Sequence, residues 1–173
     1  QAEKISFDGI LADLGLSMFH YKESQKGFSF LREDPLDMTL DGGSPNLYDV
    51  VNSFTEEEIA NIIYQYGEER LSRRIAHGIV MYRRVKKIQT TLELAEIIKK
   101  SVPFSKHQRG FHPATKSFQA FRIYLNRELE NLERMMESSL IYLKSGGRLA
   151  IMTYHSLEDR IVKWFFRKKA DEK

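Results

Sequence analysis

Residues 146–166, GGRLAIMTYHSLEDRIVKWFF, contain the pattern that decides the fold class. Two glycines precede a short apolar run, the run stops at Tyr154-His155-Ser156, and an acidic pair then opens a basic amphipathic segment. The pattern predicts a strand over 148–154 followed by a helix over 157–169. In open parallel sheets, ligands bind at the carboxyl ends of the strands. The stretch therefore predicts an α/β fold and a site at the end of this strand.

A second strand is predicted at residues 5–15, ISFDGILADLG. Its nearly continuous apolar run is typical of a strand that is buried on both faces of a sheet. The run ends at Asp13-Leu14-Gly15, which places a carboxylate at the carboxyl end of the strand. Residues 16–46 have no sustained period and predict a long loop. An ordered loop is favoured by its apolar residues Phe28, Phe30, Leu36 and Met38.

The middle of the chain is predicted to be helical. Thr55-Glu56-Glu57-Glu58 has the form of a capping box. Amphipathic helices are expected through residues 59–66, 71–80 and 90–98. Pro113 begins a long helix that we expect to continue to Leu143 and to stop at the following glycines. Together with the two strands, this order predicts an α/β sheet interrupted by a helical insertion.

The composition limits the classes of protein and of chemistry. A chain of 173 residues with 42% hydrophobic residues suits one domain, or one domain with a modest insertion. No run approaches the roughly 18 apolar residues of a membrane span, and the first residues do not form a signal peptide. The absence of cysteine excludes cysteine nucleophiles and thiolate metal sites from these residues and fits a reducing compartment. No spacing of His, Asp and Glu resembles a ligand set, so we expect no metal site.

Basic residues are concentrated in one part of the chain, although the formal net charge is only +3. The members of this basic cluster are Arg70, Arg73, Arg74, Arg83, Arg84, Lys86, Lys87, Lys99, Lys100, Lys106, Arg109 and Lys116. Such a cluster is either the solvated face of helices or a phosphate-binding surface whose affinity depends strongly on salt. The sequence leaves both interpretations open.

Eight short motifs occur in one order along the chain. They are residues 8–17 (DGILADLGLS), 26–30 (KGFSF), 35–38 (PLDM), 66–70 (YGEER), 112–115 (HPAT), 118–123 (FQAFRI), 126–129 (NREL) and 155–163 (HSLEDRIVK). Each motif is weak alone, but the ordered set is specific. With this set the chain resembles the bacterial ribosomal RNA small-subunit methyltransferase H family over essentially its whole length.

The resemblance implies an enzyme that uses S-adenosyl-L-methionine to methylate the exocyclic N4 of a cytidine in 16S ribosomal RNA. It implies a Rossmann-like methyltransferase sheet with an inserted all-helical domain. Residues 1–46 and 112–173 would belong to the methyltransferase domain, and residues 47–111 would form the RNA-binding insertion. The expected partners are 16S ribosomal RNA and the small ribosomal subunit in the cytoplasm. A homodimer stays open, and no membrane partner is expected.

The resemblance also assigns site residues. Asp13 is expected to contact the cofactor, and His20 stands where the family has a glutamine that does so. Asp13, Ser17 and His155 are the expected catalytic residues. From the residues alone, Asp13 is either a ligand acceptor or the cap of a turn, and His155 is either a substrate contact or a structural hydrogen-bonding group. The rings of Phe28, Phe30 and Tyr154 would either stack on a flipped cytosine or pack in the core.

The chain departs from the family pattern at its start. The family's glycine-rich cofactor loop and its ribose-binding acidic residue precede the strand at residue 5, and neither occurs in residues 1–173. We therefore expect residues 1–173 alone to bind the cofactor weakly or not at all and to be inactive. The alternative function is a non-catalytic helical RNA-binding module on an α/β scaffold. The carboxylate of Asp13 favours the enzyme, because a scaffold has no need of a carboxylate at a strand end.

Overall fold

A computed structural model describes residues 5–106, 110 and 112–171. The elements are β1 (Phe7–Asp13), α1 (Met18–Lys22), α2 (Leu47–Ser53), α3 (Glu56–Gly67), α4 (Ser72–Arg83), α5 (Thr91–Ser101), α6 (Thr115–Leu125), α7 (Glu128–Tyr142), β2 (Leu143–Met152) and α8 (Ser156–Asp171). A short 3-10 turn lies at Phe104–Lys106. The predicted α/β class is confirmed. Within the basic cluster, Arg109 lies outside the described residues.

The chain divides into two compact units. The sheet unit contains residues 5–15 and 127–171 of the described chain, and the helical unit begins at Leu16 and ends at Asn126. These limits differ from the boundaries at 47 and 112 that the sequence predicts. The helical unit also includes the long loop before α2 and the helix α6.

The sheet unit is built on two parallel strands, as predicted. The register pairs Gly9 with Arg148 and Asp13 with Met152, so the carboxyl ends of the two strands lie side by side. β2 begins at Leu143, directly after α7, and not at residue 148. The register shifts between Phe7 and Gly9, and this irregularity accommodates the residues between Leu143 and Arg148.

The apolar core of the sheet unit is small. Leu132, Met136 and Val162 are buried, and part-buried side chains of β2, α7, α8 and Leu14, just after β1, pack against them. β1 is largely exposed, and 71% of Leu11 is accessible to solvent. The prediction that this strand is buried on both faces is therefore wrong for the described residues, among which the sheet has two strands. The exposed side of α8 carries Trp164.

The helical unit has an extensive core. α3 packs against α4 and α6, and α4 also packs against α5. The apolar faces of these helices are fully buried at Ile59, Ile63, Ile75, Ile79, Leu94, Ile98 and Phe121. The capping box at Thr55 is confirmed, since its side chain accepts from the N–H of Glu58 and the Glu58 carboxylate accepts from the N–H of Thr55. A second capping box, between Asn46 and Asp49, begins α2, which the sequence analysis missed.

The loop at residues 16–46 is ordered, as predicted. Phe28, Leu36 and Met38 are buried in the core of the helical unit. The N–H of Asp34 donates to the Thr91 hydroxyl at 3.1 Å, and this bond fastens the loop to the start of α5. Burial of its apolar residues explains why a segment without regular periodicity is held in place.

The prediction of one long helix over 113–143 is wrong, because the helix breaks at Asn126 and Arg127. The Asn126 side chain accepts from the N–H of Leu40 at 2.9 Å and donates to the carbonyl of Met38 at 3.0 Å. It also donates to the Arg122 carbonyl at 2.9 Å, so the amide competes with the helical ladder. Arg127 then adopts a left-handed conformation with φ of 48°.

Among the described residues, no helix combines the length and apolar character that crossing a membrane requires.

Candidate active site

Asp13 is the last residue of β1 and lies where both strands end. Its side chain is exposed, and Oδ1 accepts a hydrogen bond from the Tyr154 hydroxyl at 2.5 Å. This bond to the carboxylate raises the pKa of Tyr154 above its ordinary value. Tyr154 therefore remains a neutral donor at physiological pH. The structure thus brings together two polar side chains that the sequence placed at the ends of separate strands.

Tyr154 lies at the same carboxyl end of the sheet, two residues beyond the end of β2. Its N–H donates to Oε2 of Glu158 at 2.9 Å. Its ring lies over Gly15, where a Cβ atom would meet ring carbon Cδ2 at 3.8 Å. The ring is 63% exposed, so it is not part of the core.

The other two candidate stacking residues belong to the helical unit and differ from Tyr154. Phe28 is buried in the core. Phe30 is half-buried and stacks on His112 with ring centroids 4.8 Å apart, while Phe118 meets it edge-on at 5.0 Å. Their rings are occupied by protein contacts, which is the core-packing role left open by the sequence.

His155 lies just before α8, and its side chain is only 10% exposed. Nδ1 accepts from the N–H of Glu158 at 3.4 Å, as the side chain of a helix-capping residue does. Nε2 lies 3.3 Å from Oε1 of Glu158. Since Nδ1 is an acceptor, the ring proton of neutral His155 is assigned to Nε2, beside that carboxylate. These contacts give His155 a structural role, and its catalytic role stays a prediction.

Glu158 is a buried carboxylate in the first turn of α8. Burial opposes its ionisation, but the His155 ring 3.3 Å away and the hydrogen bond from the N–H of Tyr154 outweigh burial and hold the pKa of Glu158 below its ordinary value. The neighbouring Asp159 pairs with Lys163 at 2.7 Å. The acidic pair consists of first-turn helix acids, where the helix dipole favours negative charge.

One group of potential metal ligands occurs within the described part of the chain. Donor atoms of Glu128, His155 and Glu158 lie within 4.8 Å of one another. A metal would need the lone pair of a histidine nitrogen. In the assigned tautomer, Nδ1 uses its lone pair for the N–H of Glu158 and Nε2 carries a proton. By geometric criteria, Nε2 of His155 has no hydrogen-bond partner within the described residues. The expectation of no metal site stays a prediction.

Ser17 and His20 lie in the helical unit at the start of α1. The Ser17 Oγ and the His20 Nδ1 are 2.9 Å apart and hydrogen-bonded. Phe19 and Phe28 meet the His20 ring edge-on with centroid distances of 5.8 and 5.9 Å. The bond to Ser17 fixes one ring nitrogen, and within the described residues Nε2 has no hydrogen-bond partner. His20 therefore offers one nitrogen to a polar ligand.

The basic cluster consists of two kinds of residue. Arg83 is half-buried and donates to the carbonyls of Val51 at 2.8 Å and Phe54 at 2.5 Å. Burial, and secondarily the neighbouring Arg84, lowers the pKa of Arg83. By contrast, Arg73, Arg74 and Arg84 are exposed on or just after α4. These exposed arginines present their charge to solvent.

Comparison with known proteins identifies the family of this chain. Residues 1–173 match the model of the MraW methylase family. The chain belongs to the MraW methylase family. This membership confirms the family resemblance that the eight motifs predict.

Several curated relatives carry the name ribosomal RNA small subunit methyltransferase H. The protein of Borreliella afzelii (strain PKo) is 53% identical over 160 residues, which cover 91% of this chain and 53% of the relative. That of Fervidobacterium nodosum is 50% identical over 162 residues, covering 92% and 54%. That of Paramagnetospirillum magneticum is 49% identical over 165 residues, covering 95% and 51%. The chain spans about half the length of the curated relatives it matches.

Tyr154 as a partner of Asp13 is the contact that sequence reasoning missed. The two residues are 141 positions apart. The available signal was their placement at the ends of two strands that were expected to be neighbours. The same reasoning missed that Glu158 holds both the backbone of Tyr154 and the ring of His155.

Proposed function

We propose that the protein containing this chain transfers a methyl group from S-adenosyl-L-methionine to the exocyclic N4 of a cytidine in 16S ribosomal RNA. Its sheet unit would be part of a Rossmann-like methyltransferase domain, and its helical unit would be the insertion that binds RNA. Family membership and the names of the relatives support this proposal. The observation that carries it is the exposed carboxylate of Asp13 at the carboxyl end of a parallel strand.

The residues present fit a polar ligand such as this cofactor. Asp13 offers an exposed carboxylate, and His20 offers Nε2 as a single donor or acceptor. Gly15 follows Asp13 with φ of 91° and leaves the backbone there without a side chain. Asp13, in the sheet unit, would hold the cofactor, and the cofactor contact predicted for His20, in the helical unit, stays a separate prediction. When bound, S-adenosyl-L-methionine supplies an electrophilic methyl group whose bonding electrons remain on sulfur.

The role of Asp13 follows from the chemistry of an exocyclic amine. Its carboxylate would accept a hydrogen bond from the amine, increase the electron density on nitrogen and take the proton that nitrogen loses. Methylation of cytosine at ring carbon 5 would need a cysteine nucleophile, and this chain supplies none. The Asp13 carboxylate suits the amine as the methyl acceptor, because amine methylation needs a hydrogen-bond acceptor and no cysteine nucleophile.

The test is methyl transfer by the complete protein from labelled S-adenosyl-L-methionine to small ribosomal subunits, followed by nucleoside analysis. We expect N4-methylcytidine as the product, and we expect Asp13→Asn to lower kcat by about 10²–10⁴-fold. Asp8→Asn is the matched control, because Asp8 lies on the same strand and pairs with Lys144 at 2.9 Å. Methylation at another atom, or full activity of Asp13→Asn, would refute the proposal. RNA binding without methyl transfer by the wild-type protein would instead support the non-catalytic module.

The RNA-binding part has its own test. Replacing Arg73, Arg74 and Arg84 together with alanine should reduce the slope of log affinity against log salt concentration by about 2, since three phosphate contacts are lost. Arg167→Ala with Lys168→Ala on α8 is the control for loss of exposed positive charge. An unchanged slope in the triple variant would show that these arginines are an ordinary solvated surface.

A further inference from the structure

We propose that Tyr154 is a positioning residue for methyl transfer: its hydroxyl holds Oδ1 of Asp13 and thereby leaves Oδ2 for the target amine. This inference rests on the proposed function. It assigns to Tyr154 a role that differs from stacking on the base. The basis is the geometry of one hydrogen bond and of the contacts that place its donor.

Three contacts define the position of Tyr154. Its N–H is held by the buried carboxylate of Glu158 at 2.9 Å, and that carboxylate is held in turn by the ring of His155. Its ring lies over Gly15, where the backbone has no Cβ. Its hydroxyl reaches Asp13 at 2.5 Å. The donor is therefore placed by buried groups even though the ring itself is largely exposed.

Asp13 depends on this donor for its orientation. The Asp13 side chain is exposed, and within the described residues its only hydrogen-bonding partner is Tyr154. An exposed carboxylate without a partner rotates among several solvated orientations. A hydrogen bond from a hydroxyl to a carboxylate is charge-assisted, and a donor–acceptor distance of about 2.5–2.7 Å is typical of it. The bond thus restricts the carboxylate before a substrate arrives.

This restriction assigns different tasks to the two carboxylate oxygens. Oδ1 is engaged by Tyr154, and Oδ2 remains to accept the N–H of the target amine. The amine nitrogen would form its new bond to the methyl carbon with its lone pair, while the carbon–sulfur bond of the methyl donor breaks and its electron pair stays on sulfur. The nitrogen proton would pass to the Asp13 carboxylate and then to water. Tyr154 neither gains nor loses a proton in this step. It lowers the cost of arranging the acceptor, which is the usual benefit of a preorganised site.

The test compares Tyr154→Phe with the wild-type complete protein in steady-state methyl transfer. The substitution keeps the ring and removes only the hydroxyl. We expect kcat to fall by about 10-fold, as for loss of one charge-assisted hydrogen bond. KM for RNA and for S-adenosyl-L-methionine should change less than about twofold, because ground-state binding is retained. Tyr142→Phe, at an exposed tyrosine of α7, is the matched control and should leave both parameters unchanged.

Two kinetic outcomes would overturn the inference. One is an unchanged kcat in Tyr154→Phe. The other is a defect that appears only when the ring is removed, in Tyr154→Leu, and that raises KM for RNA. This second result would assign Tyr154 to stacking on the base.

A measurement that does not need activity separates this inference from the proposed function. Carbon NMR of ring-labelled tyrosine, with the Tyr154 signal assigned by its loss in Tyr154→Phe, follows the titration of this hydroxyl. Asp13→Asn should lower the pKa of Tyr154 toward its ordinary value, because the negative partner is removed. No change on Asp13→Asn would overturn the inference. If the pKa of Tyr154 responds but the wild-type protein transfers no methyl group, the proposed function fails while the hydrogen bond stands.

Discussion

The helical unit and the sheet unit differ in how they are stabilised. The helical unit buries an apolar face on each of its longer helices. The sheet unit has three buried apolar residues at the centre of its cluster and exposes much of β1. The candidate catalytic pair, Asp13 and Tyr154, nevertheless lies in the sheet unit. Most of the buried apolar side chains therefore lie in the helical unit, whereas the proposed catalytic pair lies in the sheet unit.

The largest expected effect is in the core of the helical unit. Phe121 on α6 is completely buried. We expect Phe121→Ala to lower the free energy of unfolding by about 3–5 kcal/mol, as measured by urea denaturation followed by circular dichroism. Tyr64→Ala, at an exposed aromatic residue of α3, is the control and should cost less than about 0.5 kcal/mol. Equal losses would contradict the view that this core dominates stability.

Close helix packing predicts the next effect. A Cβ atom on Gly67 would lie 2.6 Å from the backbone carbonyl oxygen of Lys116 and 3.2 Å from Cβ of Ala120. Gly67→Ala should therefore force α3 and α6 apart and cost about 1–3 kcal/mol of unfolding free energy. Gly78→Ala is the helical control, since its Cβ would meet the side chain of Ser101 and not the backbone of a neighbouring helix. A cost for Gly67→Ala no larger than that of Gly78→Ala would show that the two helices separate easily.

A helix cap gives a smaller effect in the same unit. The Thr55 hydroxyl accepts from the N–H of Glu58 at 3.2 Å at the start of α3. Thr55→Ala should lower the free energy of unfolding by about 1 kcal/mol, and Thr55→Ser should restore most of it. If serine fails to restore stability, the hydroxyl is not the source of the effect.

The sheet unit is expected to respond to pH. The pKa of Glu158 is held below 4.5, so its contribution to stability is present above about pH 4.5 and is lost as the pH falls through the folded-state value. Glu158→Gln removes this titration, and the fall in unfolding free energy as the pH drops below about 4.5 should be shallower than in the wild type. The exposed Glu133→Gln controls for the loss of one carboxylate. Identical pH profiles for wild type and Glu158→Gln would contradict a contribution of the Glu158 carboxylate to stability.

The features that sequence reasoning predicted correctly are local or follow from simple topology. The capping box at Thr55 and Glu58 depends on residues three apart, so the pattern is visible in the sequence. The adjacency of the ends of β1 and β2 follows because two strand patterns separated by helices pair in parallel. The sequence alone therefore places Asp13 at the carboxyl end of the sheet.

The features that sequence reasoning missed depend on contacts between distant residues. α6 ends because the amide of Asn126 binds backbone groups of Met38 and Leu40, 88 and 86 positions away. No local periodicity contains that information. The bond from Tyr154 to Asp13 likewise depends on the strand register, which pairs Asp13 with Met152. A shift of register by one residue would move these side chains to different faces.

The placement of Trp164 on α8 has a practical consequence. It is the single tryptophan of the chain, and it lies on an exposed side of the sheet unit, whereas the helical unit contains none. Intrinsic fluorescence on selective excitation of this indole therefore monitors one unit without any label. Far-ultraviolet circular dichroism is dominated by helices, most of which belong to the other unit. Recording both signals in one denaturation series would show whether the two units melt together or in sequence.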